Sequence, residues 1–246
     1  MKVMIYSEKG YKKAICEDAA LLNERIISDS FSETQLNSRV LIAIADGVGG
    51  NAGGELASRY VLNQFDKSDI EDLTAEELHQ FIENCNRGLL EYAKQFPGKE
   101  NMATTLTGII LLQDTCFIFH VGNTRVYGLQ GSYLKQFTKD QTTYQWLLNR
   151  GQIEEADTCN KNEIIYCLGG GNLKYAAGIC VNEYSLLNQC KRILLSSDGI
   201  HEYVSTDELE DFILGDINKD TMQEIADKAR SNGSKDDKTI VVIDRM

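Results

Sequence analysis

The chain has 246 residues, 42% of them hydrophobic and 25% charged, the balance of an ordinary globular protein. A single proline excludes a collagen-like or Pro-rich architecture, and the apolar content excludes a disordered tail. Lys and Arg number 25 against 37 Asp and Glu, a net charge of −12. That balance speaks against nucleic acid as a partner, because binding a polyanion requires clustered cations, and the notable basic cluster is only Lys9, Lys12 and Lys13. No run approaches the ~20 apolar residues of a membrane span, so no membrane insertion is expected. The first residues lack the apolar stretch of a secretory signal, which makes the cytoplasm the expected location.

At ~150 residues per domain, the length allows one large domain or two small ones. Without a visible repeat or low-complexity linker, one domain over 1–246 is expected. In chain order, runs rich in Val, Ile, Leu and Thr predict strands at 39–45, 105–112, 115–121, 125–129, 164–168, 177–181, 192–196 and 239–243. Helices are expected over 54–65, 75–95 and, shorter, 141–150. Leu78, Phe81, Ile82, Cys85, Leu89 and Leu90 form one apolar stripe on the second of these. Thr74 with Glu77, Ser205 with Glu208 and Thr221 with Glu224 read as capping boxes at helix starts. The middle strands are joined by short turns such as Gln113-Asp114 and Gln130-Gly131. Parallel neighbours need long crossovers, so these pairs are expected to be antiparallel and the fold class α+β.

Seven cysteines are an odd number, and none falls in a Cys-x-x-Cys pair. A zinc site or a disulfide framework is therefore not expected, and most of the thiols should be small buried apolar groups.

Four acidic sites share one local design. The run 39–45 ends in Asp46-Gly47, and the run 192–196 ends in Ser197-Asp198-Gly199. Asp236-Asp237 immediately precedes a strand, as does Glu17-Asp18 before Ala19. Two carboxylates ~4 Å apart repel by ~4 kcal/mol at an effective dielectric near 20. If these strand ends converge, something must neutralise them, and carboxylates with backbone carbonyls are the donors that hard divalent cations take. The glycines would permit a sharp turn and let a carbonyl approach the ion. Taken singly, each Asp-Gly is more simply a turn; the repetition of the design favours a metal site.

The same residues resemble the PPM family, the metal-dependent type 2C protein serine/threonine phosphatases, in compact bacterial-like form. Lys13-x-x-Cys16-Glu17-Asp18 looks like the family's Arg-x-x-Asn-Glu-Asp, and Ala45-Asp46-Gly47-Val48-Gly49-Gly50 matches its central motif. Ala103-Thr104-Thr105, Gly122-Asn123-Thr124-Arg125, Ser196-Ser197-Asp198-Gly199 and Gly233-Ser234-Lys235-Asp236-Asp237 follow in family order. The resemblance implies an αββα sandwich, two antiparallel sheets flanked by helix pairs. It implies two Mn²⁺ or Mg²⁺ ions, with Asp46 bridging both, the Gly47 carbonyl on one, and Asp198 and Asp236 completing the other. Glu17 would orient metal-bound water, Asp18 would support that network, and Lys13 would bind the substrate phosphate. A water activated by the two metals would then attack phosphorus directly. Implied partners are a phosphorylated protein substrate and a cognate Ser/Thr kinase, and the flap-like segment 141–165 would select the substrate.

The chain departs from the family at several positions. Lys13 replaces the phosphate-gripping Arg and loses its planar fork. Asn123 replaces the Asp of a third metal, which counts against a third ion, and Asp237 replaces Asn beside a ligand, adding charge that would tighten metal binding or misplace Asp236. Val48 lies where some members carry a His. These changes sustain one rival, a pseudophosphatase that binds phosphoproteins or regulates a kinase without turnover. Two other readings are weaker. Gly47-x-Gly49-x-x-Ala52 followed by Asp66 mimics a dinucleotide fingerprint, but Asp46 would face the pyrophosphate. Asp216-x-Asn218-x-Asp220 with Asp227 mimics a calcium loop, but Thr221 takes the place of its glycine.

Overall fold

A computed structural model describes residues 1–36, 40–49, 52–66, 74–112, 116–185 and 189–245. In chain order the strands are β1 (Lys2–Glu8), β2 (Ala19–Leu22), β3 (Arg25–Ile27), β4 (Phe31–Gln35), β5 (Val40–Ala45), β6 (Ala103–Thr104) and β7 (Leu106–Leu111). They continue as β8 (Cys116–Val121), β9 (Arg125–Gln130), β10 (Tyr133–Gln136), β11 (Leu168–Gly169), β12 (Cys180–Glu183), β13 (Arg192–Ser196) and β14 (Lys238–Asp244). The helices are α1 (Gly54–Asp66), α2 (Ala75–Ala93), α3 (Thr143–Asn149), α4 (Ile153–Thr158), α5 (Asp198–His201), α6 (Thr206–Leu214) and α7 (Lys219–Ser231).

Two six-stranded sheets carry the fold, one ordered β10-β9-β13-β14-β1-β4 and the other β12-β8-β7-β5-β2-β3. Every pairing among the described strands is antiparallel, as expected. The alternation along each strand decides the layers. Val40, Ile42 and Ile44 of β5 face the other sheet, where they meet the core that holds Ile193 and Leu195 of β13 and Val241 and Ile243 of β14. Leu41, Ala43 and Ala45 face outward onto Val61 and Phe65 of α1 and Leu78 and Ile82 of α2. On the opposite side, Ile240 and Val242 pack with Leu209 of α6 and Ile225 of α7. The result is the αββα sandwich. Helices cover the faces that antiparallel sheets often leave wet, so both faces of the central strands are apolar and they read as unbroken apolar runs. Each fully buried Ile in these layers contributes ~1.5–3 kcal/mol relative to exposure.

The capping boxes hold at two of the three expected places. Thr74 accepts from the Glu77 N–H while Glu77 accepts from the Thr74 N–H, and Ser205 and Glu208 do the same for α6. The third start lies earlier than expected: Asn218 caps α7 by accepting from the Thr221 N–H, so Thr221 is inside the helix. That cap also accounts for the calcium-like spacing. No strand covers 164–168. Ile164 makes only an isolated bridge to Thr142, and Leu168 pairs in β11. The segment is the closing arm of an excursion over 141–165, tied at its base by the Thr143 N–H to Glu163 O and the Ile165 N–H to Gln141 O. The strand expected at 177–181 is displaced to β12, behind a 3₁₀ turn over Leu173–Gly178. β1 and β4 were not anticipated. β1 is central, between β14 and β4, with Val3 and Ile5 facing inward and Met4 facing the helices. Arg39, the turn Gln113-Asp114 and Thr115 lie outside the described residues. Four of the seven thiols are buried, those of Cys16, Cys85, Cys116 and Cys190.

Candidate metal centre

Antiparallel register gathers the acidic residues. Ala19 of β2 stands opposite Ala45 of β5, so Glu17 and Asp18, entering β2, lie beside Asp46 and Gly47, leaving β5. Ser196 of β13 stands opposite Ile240 of β14, so Asp198, leaving β13, lies beside Asp236 and Asp237, entering β14. The Ser197 hydroxyl then joins the two groups: it donates to Asp18 Oδ2 at 2.8 Å and accepts from the Thr239 N–H at 3.0 Å.

The backbone at each Asp-Gly is held firmly. The Asp46 N–H donates to Thr105 Oγ1 at 3.1 Å, and its carbonyl accepts from the Thr105 N–H at 2.8 Å and the Thr104 hydroxyl at 2.9 Å. The glycines serve a different purpose from the one expected. Neither Gly47 nor Gly199 is among the residues with a left-handed φ, so turn conformation does not demand them. Close approach does. A Cβ on Gly47 would stand 2.6 Å from the Gly54 carbonyl carbon, and one on Gly199 would stand 1.9 Å from the Asp237 carbonyl oxygen. Gly54 is itself pressed against Glu17, 2.9 Å from its Oε1 by the same construction.

The carboxyls are crowded. Asp18, Asp198 and Asp236 lie near enough for their charges to bear on Asp46. Burial, followed by the charges of Asp18, Asp198 and Asp236, raises the Asp46 carboxyl well above the usual carboxylate range. Asp198 is raised by burial and then by Asp236. Asp18 is pushed up to about 7 by burial and by Asp237, against the lowering effect of the Ser197 hydroxyl. Asp18 Oδ1 is buried without a hydrogen-bond partner, and so is Asn123 Oδ1, whose amide nitrogen donates to Asp198 Oδ2 at 3.0 Å. Three carboxyls whose charges bear on one another, beside orphaned oxygens, fit the oxygen-only donor set of a hard cation. Among the described residues no three His, Cys, Asp or Glu side chains form a ready-made cage. An ion held here would need backbone oxygens or waters to complete its shell, as Mg²⁺ ordinarily does.

Lys13 and Asp236 stand at the rim. The Lys13 ammonium lies 2.5 Å from Asp236 Oδ1, 3.0 Å from Asp237 Oδ2 and 3.1 Å from Glu17 Oε2. Burial alone lowers its pKa, but Asp236 and Asp237 outweigh burial and raise it. Asp237 does not turn into the cluster. It is 2% exposed, and its carboxylate accepts from the Gly10 N–H at 2.6 Å, the Glu17 N–H at 2.7 Å and Lys13. Sequence reasoning missed Ser197 and Gly10. The signal for the first was available, a polar residue flanking Asp198; nothing in the spacing points to Gly10.

The 141–165 excursion, with α3 and α4, is anchored beside the centre. The Gln141 N–H donates to Gly122 O, and the Gly122 N–H donates to Gln141 Oε1, one residue from Asn123. Between the excursion and α5 lies a cleft of about 400 Å³, with Tyr144, Lys161 and Asn162 on one wall and Arg125, Glu202 and Tyr203 on the other. Burial and the nearby Asp198 push Glu202 up to about 7.

Fold and site together define an αββα sandwich with a cation-seeking acidic edge. The family model described as protein phosphatase 2C matches residues 18–235. The serine/threonine phosphatase stp of Listeria monocytogenes is 31% identical over 224 residues, covering 85% of this chain and 86% of that protein. The crystal structure of the Mycobacterium tuberculosis serine/threonine phosphatase PstP/Ppp superposes with a TM-score of 0.79 at 26% identity, covering 99% of each chain. That of Stp1 from Staphylococcus aureus gives a TM-score of 0.81 at 24% identity, over 98% of this chain and 94% of that one. The chain belongs to the protein phosphatase 2C family. The pairings among the described strands are all antiparallel, which excludes the parallel dinucleotide fold.

Proposed function

We propose that this chain is a metal-dependent protein serine/threonine phosphatase, one catalytic domain over 1–246 that transfers phosphoryl groups from phosphoserine and phosphothreonine of cytoplasmic proteins to water. The observation that carries this reading is the convergence of Asp18, Asp46 and Asp198 on one edge of the sandwich, set by strand register and the Ser197 bond, where burial and like charge are costly without a cation. No helix among the described residues is long and apolar enough to cross a membrane.

In this reading Asp46, the Gly47 carbonyl, Asp198 and Asp236 would hold two Mn²⁺ or Mg²⁺ ions. When bound, they supply positive charge to phosphoryl oxygens and make water acidic enough to react near neutral pH. Glu17 would orient the attacking water. Asp18, pinned by Ser197, keeps the adjoining network in place. Lys13 meets the substrate phosphate, adding a cation where charge develops on the transferring group. Asn123, being neutral, leaves no carboxylate for a third ion. The cleft between 141–165 and α5 receives the substrate polypeptide, and a Ser/Thr kinase that makes the phosphoprotein is the natural counterpart.

The test is phosphate release from a phosphothreonine peptide with Mn²⁺, Mg²⁺ or EDTA, beside an Asp198→Asn variant. Metal-dependent release that the variant lacks supports the reading. A folded protein that binds Mn²⁺ by calorimetry yet releases nothing would instead be a pseudophosphatase.

A further inference from the structure

Residues 10–17 cross the rim of the centre and rest directly on the chain entering β14. Gly10 is pressed so close that a Cβ would stand 2.5 Å from Lys235 O and 2.7 Å from the Asp236 carbonyl carbon, and the Tyr11 N–H donates to Lys235 O at 2.9 Å. The Lys13 N–H closes a turn onto Gly10 O at 3.2 Å, with Lys12 in the left-handed region at φ 62°. The backbone of Lys13 is thus fixed by its neighbours, while its four-carbon stem remains free to swing.

What holds the ammonium is a set of three carboxylates, and they are not equivalent. Asp236 and Glu17 are assigned above to the metal and to water. Asp237 spends both oxygens on the loop: Oδ1 on the Gly10 N–H, Oδ2 on the Glu17 N–H and on Lys13. All of these partners are donors, so the site demands an acceptor at both oxygens. An Asn here would turn its NH₂ group against either the Gly10 N–H or the Glu17 N–H and the ammonium, donor against donor.

We propose that Asp237 is the positioning residue for Lys13, a buried counter-charge that holds the ammonium at the edge of the centre where a substrate phosphoryl group arrives. The inference rests on the phosphatase reading. It also gives the two departures from the family pattern one cause. Where Arg stands at the position of Lys13, five donors in a rigid fork hold the side chain in place without a second carboxylate. Where Lys stands there, a single point charge needs one. Lys13 and Asp237 are therefore a matched pair, and Asp237 acts on phosphate through Lys13 rather than on the metals.

The experiment is a double-mutant cycle of Lys13→Met and Asp237→Asn, with Lys13→Arg/Asp237→Asn as the rescue. Readouts are KM and kcat on a phosphothreonine peptide, and calorimetric binding of inorganic phosphate and of Mn²⁺. Asp237→Asn is expected to weaken phosphate binding and raise KM about tenfold, the scale of one hydrogen bond to a charged group, with kcat and Mn²⁺ affinity changed less than about threefold. In the Lys13→Met background the same change adds less than about twofold, and the Arg/Asn pair returns to within about threefold of the parent. The Lys13→Met arm keeps the cycle readable if Asp237→Asn lowers the melting temperature. The proposal is overturned if Asp237→Asn leaves phosphate binding intact, if Mn²⁺ affinity falls in step with it, if its effect persists undiminished without Lys13, or if the Arg/Asn pair stays as weak as Asp237→Asn. A parent protein that binds phosphate in this pattern but hydrolyses nothing would sink the phosphatase reading alone.

Discussion

The Ser197 hydroxyl donates to Asp18 Oδ2 at 2.8 Å across the seam between the two sheets. It simultaneously accepts from the Thr239 N–H, so one oxygen fixes the relative position of β2, β13 and β14. Replacing Ser197 with Ala leaves Asp18 buried with neither oxygen satisfied, since Oδ1 already has no partner. The expected loss is ~1–3 kcal/mol in urea unfolding. An unchanged midpoint would show that the seam does not depend on this bond.

Asp46→Asn tests the cost of the carboxyl cluster. Without metal, removing a carboxyl that neighbouring acids push upward relieves repulsion, so the variant in EDTA melts higher than the parent, by an amount set by ~1 kcal/mol or more. With metal the order reverses. At a hundredfold excess over its Kd, a ligand stabilises by ~2.7 kcal/mol, about 5–10 °C for a chain of this size, and the variant forfeits that rise. Thermal melts in EDTA and in Mn²⁺ read both signs.

Metal-free stability should depend on pH through groups of both signs, among them Asp18 and His120. Burial and Asp237 push the Asp18 carboxyl from an ordinary 3.8 up to about 7, so the folded state holds its proton more tightly. Its contribution is full below ~4 and is lost as pH rises to ~7, at most about 4 kcal/mol. His120, buried with Nε2 donating to Lys139 O and Nδ1 accepting from Thr107, is lowered to about 4, chiefly by burial. It contributes stability above ~6.5 that is lost as pH falls, about 2 kcal/mol by pH 5. Urea unfolding in EDTA from pH 5 to 8, repeated on Asp18→Asn and His120→Gln, separates the two slopes.

Gly199→Ala places a methyl 1.9 Å from the Asp237 carbonyl oxygen, a backbone atom that cannot swing aside. Forcing α5 away from β14 is expected to cost ~3 kcal/mol and to carry Asp198 with it. Mn²⁺ affinity measured by calorimetry should therefore fall even at temperatures where the variant is fully folded. Retained affinity would show that α5 has room to adjust.

Much of this was legible before the fold was known, and for local reasons. The runs ending at Ala45 and Ser196 are buried at every position because both faces are covered, their apolar stretches stand out from their flanks, and each leads into an Asp-Gly. The Thr74 and Ser205 caps are short-range bonds whose partners sit three residues apart. The misses are equally physical. Thr221 satisfies the capping pattern, but Asn218 reaches its N–H first. The run 164–168 is apolar enough for a strand, yet its neighbour across the base of the excursion is a single bridge at Thr142. The glycines after Asp46 and Asp198 were read as turn residues because a dipeptide does not reveal which backbone will be packed against it.

Residue identity and local period thus determined the apolar central strands, their antiparallel pairing, α1, α2 and the four acidic strand ends, but not β1, β4 or the excursion over 141–165. Tertiary structure alone decided which of those acids touch. Asp18 and Ser197 are 179 positions apart and Asp237 and Gly10 are 227 apart, and both contacts follow from strand register and sheet packing. Pattern along a chain encodes which face each side chain presents. It carries no record of the residue that another strand will bring opposite, so the assignment of Asp237 to the loop that bears Lys13 had to wait for the fold.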